Sequence, residues 1–171
     1  MSFSISQFRL PKLAAVLAIC ASAGCIPIST SNIPDELVAV DGETFAQVSK
    51  ATGQFGSRLN AYRAQNGRKA LVRNAKLDKA AELHAKDMFE NSYLSHTDRR
   101  GRTMRDRIKR QGYKACSTGE NIAEKFPSEA AVFEAWLTSS AHRKVFLNTR
   151  VTEYGIASVG DKWVYLAAKP C

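Results

Sequence analysis

Two apolar segments at the carboxyl end constrain the fold more than any other feature of this sequence. Tyr154 to Val159 and Trp163 to Ala168 are apolar and partly β-branched, with a Gly-Asp-Lys turn between them. This pattern predicts a β-hairpin. Because both strands are largely apolar throughout, the hairpin must belong to a small, mainly antiparallel sheet that is covered on both faces. A third short strand, Asn121 to Ala123, would bring the sheet to about three strands.

The residues before the hairpin predict helices that cover this sheet. Thr44 and Gln47 form a capping-box pattern at the start of a first helix, which extends to about Gln65. The second helix has a stripe at i, i+3, i+4 spacing that consists of Leu77, Ala80, Ala81, His84, Ala85 and Met88. Shorter helices are predicted at Thr103 to Gln111 and at Ser128 to Leu137. The predicted fold class is α+β.

The amino terminus has the pattern of an export signal. Arg9 and Lys12 precede the uncharged apolar run from Leu13 to Ala23. This run is too short to span a bilayer, which needs roughly 20 apolar residues. Ser22-Ala23-Gly24-Cys25 resembles a bacterial lipobox, in which the cysteine receives a lipid and becomes the first residue of the mature chain. Cleavage at an ordinary signal-peptidase site nearby is the alternative.

The chain therefore divides into a signal peptide at 1–24, a flexible tether at 25–41 and one domain at 42–171. The tether is rich in Pro, Ser, Thr and Asn and has no sustained period. Lipid on Cys25 would anchor the domain to a membrane outside the cytoplasm. Ile26 follows this cysteine where Asp would favour the inner membrane, so the outer membrane or periplasmic face is preferred. Secretion without an anchor is the alternative.

The cysteines support an extracytoplasmic location. Cys20 leaves with the signal and Cys25 carries lipid, which leaves Cys116 and Cys171 for a disulfide in an oxidising compartment. Closing a loop of this length stabilises the fold by about 4 kcal/mol before strain is subtracted. Two free thiols are the alternative, although neither cysteine has the spacing of a metal ligand.

The net charge of +9 falls to +7 when Arg9 and Lys12 are removed with the signal. Seven basic residues are concentrated in one segment, namely Arg99, Arg100, Arg102, Arg105, Arg107, Lys109 and Arg110. Such a density could bind lipid headgroups or wall polymers, and a solvated loop and helix face is the simpler alternative. Nucleic acid is disfavoured because no aromatic residues alternate with the basic ones.

The three histidines of the sequence occur in different contexts. His84 lies on the apolar stripe of the second helix, which predicts a buried, hydrogen-bonded side chain. His96 and His142 each follow a predicted helix, and functional side chains favour such positions. Glu120 precedes the predicted third strand and lies close to Cys116. His96, Glu120 and His142 are therefore the candidate site residues.

An ordered series of motifs in this sequence resembles the CAP superfamily, which includes cysteine-rich secretory proteins, insect venom antigens and plant pathogenesis-related proteins. The series consists of Leu59-Asn60-Ala61-Tyr62-Arg63, Leu77 to Met88, Ser95-His96, Gly119-Glu120-Asn121, Trp136 and Ser140-Ala141-His142-Arg143. It extends over roughly Phe45 to Lys169 and is most similar to the compact bacterial members, whose domain is also called the SCP domain. The resemblance implies an α-β-α sandwich with a cleft that contains two histidines and two acids.

Within this resemblance, His96 and His142 correspond to the two histidines, and Glu120 corresponds to the acid of the Gly-Glu-Asn motif. The second acid normally lies three residues after the tryptophan that corresponds to Trp136, where this chain has Ser139. The second acid is therefore missing.

Two other acids remain as replacements for it, because Glu124 and Glu153 would restore the set if either reached the cleft. The other residues of the motifs have predicted structural roles. Asn60 and Arg63 anchor the first helix to the sheet or loops, Asn121 fixes the loop that contains Glu120, and Trp136 and Trp163 pack in the core.

Two imidazoles and one carboxylate are suitable ligands for zinc or a similar divalent ion, with an open position for water. A zinc hydrolase also needs a general base, and Glu120 cannot easily serve as both ligand and base. The leading hypothesis is therefore a non-enzymatic binding module, with a metal in the cleft as one means of binding. Lipids and sterols are the ligands that the resemblance implies, and a wall polymer is the ligand that the basic segment suggests. A metal-dependent envelope hydrolase and a purely structural role of the His/Glu cluster are the alternatives, and the sequence leaves the oligomeric state open.

Overall fold

The computed structural model describes residues 54–171. In chain order, the elements are α1 (Gln54–Gln65), β1 (Val72–Arg73), α2 (Ala75–Glu90), α3 (Met104–Arg110), β2 (Ala115–Glu124), α4 (Glu129–Thr138), α5 (Ser140–Phe146), β3 (Glu153–Val159) and β4 (Lys162–Pro170). None of these helices is long and apolar enough to cross a membrane. The predicted signal peptide, lipidation at Cys25, the tether and the Thr44 capping box lie outside the described residues.

The four strands form one sheet in the order β1-β3-β4-β2. β3 and β4 form the predicted hairpin and pair antiparallel, with Gly160 at positive φ in the turn. β2 pairs antiparallel with β4, and it extends well beyond the predicted Asn121 to Ala123. The short parallel strand β1 was not predicted, because two exposed residues carry no periodic signal.

The sheet is covered by helices on both faces, as predicted. Alternate residues of the hairpin point to opposite sides: Ile156 and Tyr165 pack with α1, α4 and α5, whereas Ala157 and Val164 pack with α2 and α3. The first side is aromatic, with the Phe55 ring edge-on to Phe133 at 5.5 Å between centroids. This two-sided burial explains why both strands of the hairpin are apolar throughout.

The predicted helices are present, and one further helix occurs. α2 begins after Asn74 and α4 after Ser128, whose side chains accept backbone N–H groups of the first turn. α3 lies within the predicted range. The added helix is α5, which includes His142, so this histidine lies on a helix rather than in the predicted segment after one.

Three of the predicted structural residues connect elements through the backbone. The Asn60 side chain accepts the Leu71 N–H at 2.8 Å and donates to the Leu71 carbonyl at 3.0 Å. Arg63 is 1% exposed and donates only to backbone carbonyls. Trp136 donates to the Ile122 carbonyl of β2 at 3.3 Å from within the core, where Trp163 is also buried. These contacts join helices and loops that are distant in sequence.

A disulfide closes the end of the β2–β4 pair. Cys116 lies at a bulge of β2, and its Cα is 4.8 Å from that of Cys171, the residue after β4. The Cys171 N–H also donates to the Lys114 carbonyl at 3.0 Å. The carboxyl terminus is thereby attached to the strand that contains Glu120.

Candidate functional site

The candidate site lies along β2, one of the two edge strands of the sheet. Successive residues of a strand point to opposite faces, so Glu120 and Asn121 face different helix layers. Glu120 is directed to the side of α3 and contacts Arg107, whereas Asn121 is directed to the side of α5 and donates to the His142 carbonyl at 3.2 Å. One strand therefore positions groups on both sides of the edge.

His96 is held by Glu120. Its Nδ1 lies 2.7 Å from Glu120 Oε1, and the imidazole is 60% exposed while the Glu120 side chain is only 3% exposed. Arg107 donates to Glu120 Oε2 and to the His96 carbonyl, the latter at 2.8 Å. The position of the imidazole is therefore fixed by the contact of its Nδ1 with Glu120 and by the hydrogen bond of the His96 carbonyl with Arg107. The other ring nitrogen, Nε2, remains available to a ligand.

The loop that contains His96 is held in place by hydrogen bonds of two buried polar residues. His84 Nε2 donates to the Ser95 carbonyl at 2.8 Å, as its predicted burial and hydrogen bonding require. Asp98 accepts the N–H groups of Arg100 and Arg102, and its Oδ2 lies 2.7 Å from Arg102 Nε. These bonds close a turn directly after His96, which limits the positions that the imidazole can occupy.

His142 approaches the same strand from the other face. It lies on α5, and this helix packs so closely on β2 that a Cβ on Gly119 would lie 2.8 Å from Val145 Cγ1. The His142 imidazole is half-buried and has no hydrogen-bond partner among the described residues. It is within electrostatic reach of His96, and burial together with the charge of His96 lowers the pKa of His142. The structure thus brings His96, Glu120 and His142 to one edge of the sheet.

Neither replacement for the missing second acid joins this group. Glu124 forms an ion pair with Lys162 at the hairpin turn. Glu153 accepts hydrogen bonds from Tyr113 and from Asn74 at the other end of the sheet. Ser139 lies at the junction of α4 and α5. Among the acids named here, only Glu120 contacts a site histidine.

Glu120 has no free oxygen for a divalent ion, so His96 and His142 are the remaining candidate ligands. Both oxygens of Glu120 already contact His96 and Arg107. Within residues 54–171, no group of three or more His, Cys, Asp or Glu side chains is arranged to hold a metal. A histidine that binds a metal through one ring nitrogen usually donates a hydrogen bond from the other ring nitrogen, often to a carboxylate such as that of Glu120. His96 and His142 would thus supply two ligands, and water or a bound molecule the others.

The role of Arg107 was not predicted from the sequence, because this residue occurs within a run of basic residues that suggested a charged surface. In the structure its side chain is 7% exposed and forms the ion pair with Glu120. The sequence did contain a signal of burial, because Arg107 falls on the same helical face as the apolar Met104 and Ile108. Such a position places a guanidinium toward the core, where it needs a carboxylate partner.

The three histidines are expected to titrate differently in an NMR pH titration of their ring protons. The hydrogen bond to Glu120 raises the pKa of His96 above 6.5, whereas burial and the charge of His96 lower the pKa of His142. Burial and Arg107 also lower the pKa of His84. Glu120→Gln should bring the His96 pKa down, because a neutral amide no longer favours the imidazolium.

Glu134→Gln, an exposed change on α4, is the control and should leave all three values unchanged. An unaltered His96 pKa in Glu120→Gln would contradict the contact described here.

A sheet covered by helices on both sides, with one histidine on each side of a Gly-Glu-Asn strand, is the arrangement expected of a CAP-type domain. Comparison with known proteins agrees, because residues 57–166 match the family model described as CAP, cysteine-rich secretory protein family. The chain belongs to this family.

Similar proteins occur in several bacteria. The uncharacterized membrane protein YlbC of Bacillus subtilis (strain 168) is 33% identical over 69% of this chain and 34% of its own length. The uncharacterized protein YkwD of the same strain is 33% identical over 61% of this chain and 41% of its own length. The chain therefore spans about a third to two fifths of these curated relatives.

Solved structures show the same fold. An extracellular protein containing an SCP domain from Bacillus anthracis str. Ames is 28% identical, with a TM-score of 0.66 over 68% of this chain and 39% of that chain. An outer surface protein from Borrelia burgdorferi is 24% identical, with a TM-score of 0.64 over 74% of this chain and 99% of that chain. At this lower identity the second comparison concerns the fold alone.

Proposed function

We propose that this protein is an extracytoplasmic, non-enzymatic binding module whose ligand occupies the cleft between His96 and His142. The observation that carries the proposal is an exposed imidazole held by buried charges. The His96 side chain is 60% exposed, yet Glu120 and Arg107 behind it are 3% and 7% exposed. Burying such an ion pair costs desolvation energy, so a contribution to the stability of the fold does not by itself explain why the pair is buried. The pair does preorganise His96 Nε2 toward solvent.

A divalent ion such as zinc is the proposed first ligand of the cleft. His96 Nε2 and the His142 imidazole would hold it, with Glu120 as the second contact of His96. A bound ion would supply a positive centre for an oxygen atom of a larger ligand. Lipids and sterols, which are ligands in parts of the family, are the ligand classes that we carry over to this chain as proposals, and a wall polymer is a further proposed class.

The proposed location is the outside of the cytoplasmic membrane. Two similar proteins are named as a membrane protein and as an extracellular protein. The disulfide between Cys116 and Cys171 is also typical of an oxidising compartment. Attachment through a lipid on Cys25 remains part of the proposal, and lipid labelling that persists in Cys25→Ala would exclude it.

Zinc binding tests the proposal directly by calorimetry on the purified full-length protein. His96→Ala and His142→Ala are each expected to abolish saturable binding, because each removes one of two protein ligands. Glu120→Gln is expected to weaken binding by about 10- to 100-fold, the usual effect of losing a second contact. Lys144→Ala, an exposed change on α5, is the matched control and should bind as the parent does.

Two results would decide against the proposal. Equal zinc affinity in His96→Ala and in the parent would remove the cleft as the binding site. No zinc affinity in the parent, together with lower thermal stability of the histidine variants, would favour a purely structural His/Glu cluster.

A metal-dependent hydrolase is the second candidate, and one observation favours it. The pKa values of His96 and His142 are shifted in opposite directions, as in many acid/base pairs. The occupied oxygens of Glu120 and the serine at position 139 oppose it, since no carboxylate remains to act as base. Turnover of a peptide or wall fragment that requires metal and disappears in His142→Ala would establish the enzyme instead.

A further inference from the structure

A small cavity with both apolar and charged lining residues lies between α2, the turn at Asp98 and α3. It has about 60 Å³ of space for the centres of water molecules. One water needs roughly 10–15 Å³ by this measure, so the cavity holds several waters or a small organic molecule. Arg107 lines the cavity and also contacts Glu120, so it connects the cavity to the His96–Glu120 pair.

Most of the basic run from Arg99 to Arg110 is used within the fold. Arg102 pairs with Asp98, Arg107 pairs with Glu120, and Arg105 donates to the Ala115 carbonyl at 2.8 Å. This leaves few free cations for a long polyanion. Arg110 differs, because it lines the cavity and its guanidinium forms no hydrogen bond or ion pair with the other described residues.

The cavity also has one carboxylate without a cationic partner in the described part of the chain. Asp87 accepts hydrogen bonds from the Tyr93 hydroxyl and from the Asn91 amide, at 3.1 Å for the latter. Burial and the hydrogen bond to Asp87 raise the pKa of Tyr93, so the Tyr93 hydroxyl stays neutral. The remaining free charges of the cavity are therefore one negative group, Asp87, and one positive group, Arg110.

Two buried nitrogens of the cavity residues lack partners as well. His84 is 1% and Arg107 6% exposed, and His84 Nδ1 and Arg107 Nε have no hydrogen-bond partner. Because His84 Nε2 donates to the Ser95 carbonyl, Nδ1 of the neutral ring is an acceptor, whereas Arg107 Nε is a donor. Two of the residues that line the cavity thus contain an unpaired buried acceptor and an unpaired buried donor.

We propose that this cavity is a second binding site, and that it takes a small zwitterion with an ammonium group and a carboxylate, of which a free α-amino acid is the simplest case. The ammonium group would pair with Asp87 and the carboxylate with Arg110. A simple anion could pair with Arg110 but would be repelled by Asp87, which would stay unpaired. A simple cation could pair with Asp87 but would be repelled by Arg110. The exposed Leu83 side chain at the cavity would cover a short apolar side chain.

An NMR titration of the purified full-length protein with glycine, acetate and methylammonium tests this inference. Glycine is expected to bind saturably, with shifts of the amide signals of α2 and α3, and to bind at least about tenfold more tightly than either single-charge probe. Arg110→Gln should weaken glycine binding by about tenfold, because it removes the charge that pairs with the carboxylate. Lys109→Gln, the exposed neighbour on α3, should bind glycine normally.

Several outcomes would overturn the inference: no saturation by glycine up to about 10 mM, equal binding of acetate and glycine, or an unchanged affinity in Arg110→Gln. Asp87→Asn gives a second check, since it should lose glycine binding while its amide spectrum shows that the fold persists. His142→Ala should leave glycine binding intact. This control separates the cavity from the zinc experiment, so that either proposal can fail without the other.

Discussion

Gly155→Ala is expected to lower the free energy of unfolding by about 3 to 5 kcal/mol, which is a large part of the stability of a domain this size. Gly155 lies in β3 opposite α2. A Cβ at this position would lie 2.3 Å from the Leu77 carbonyl carbon and 2.4 Å from the Asp78 nitrogen. Both are backbone atoms of a helix, so no side-chain rotation relieves the overlap.

The consequence of this substitution is a displaced α2. That helix contacts β3 through its buried stripe, and Asp78 Oδ1 also accepts the Ile156 N–H at 2.9 Å. Moving the helix outward would therefore open one half of the core and break this bond. Urea denaturation measured by circular dichroism gives the change in the free energy of unfolding.

Gly119→Ala is the matched control for this prediction. Its Cβ would approach Val145 Cγ1 at 2.8 Å, which is the end of a side chain rather than backbone. A small movement of that side chain accommodates the methyl group, so we expect a loss of about 1 to 2 kcal/mol. If Gly155→Ala were no more destabilised than Gly119→Ala, the close packing of α2 on β3 would be wrong.

Arg63→Ala is expected to cost a similar amount, about 3 to 5 kcal/mol, for a different reason. The buried guanidinium donates to the carbonyls of Lys69, Phe146 and Asn148, at 2.8 Å for Lys69 and 3.1 Å for Asn148. These carbonyls belong to the loop after α1 and to the end of α5. Alanine would leave buried acceptors without donors and a space where the side chain was.

Arg58→Ala, an exposed change on the same helix, should alter stability by less than about 0.5 kcal/mol. Arg63→Lys should recover only part of the loss, because an ammonium group cannot present donors in the planar pattern of a guanidinium. Full stability of Arg63→Lys would show that charge alone is sufficient. The predicted anchoring role of Arg63 would then need another explanation.

The Arg63 contacts also concern the candidate site, because α5 carries His142. The carbonyl of its last residue, Phe146, accepts a hydrogen bond from Arg63 of α1, and Val145 of the same helix packs on Gly119 of β2. A helix of seven residues is not stable alone, so its position depends on these tertiary contacts. We therefore expect loss of Arg63 to affect zinc binding as well as stability.

The hairpin, α2, α3 and α4 were predictable because each has a local signal. The hairpin strands are apolar throughout, α2 has a buried stripe, and Ser128 marks the start of α4. β1 and α5 lack such signals, since β1 has two exposed residues and α5 is too short to show a period. The first half of β2 was missed because its residues are largely polar and only partly buried.

The sequence by itself determined which residue types this protein has available: an apolar hairpin, an amphipathic second helix, two cysteines and the series of histidine and Gly-Glu-Asn motifs. Only the tertiary structure decided their partners. Glu120 contacts Arg107 and His96 because the strand directs it to the face of α3, while its neighbour Asn121 is directed to α5. Periodicity reports which face of an element is buried, but it contains no information on which distant charge that face will meet.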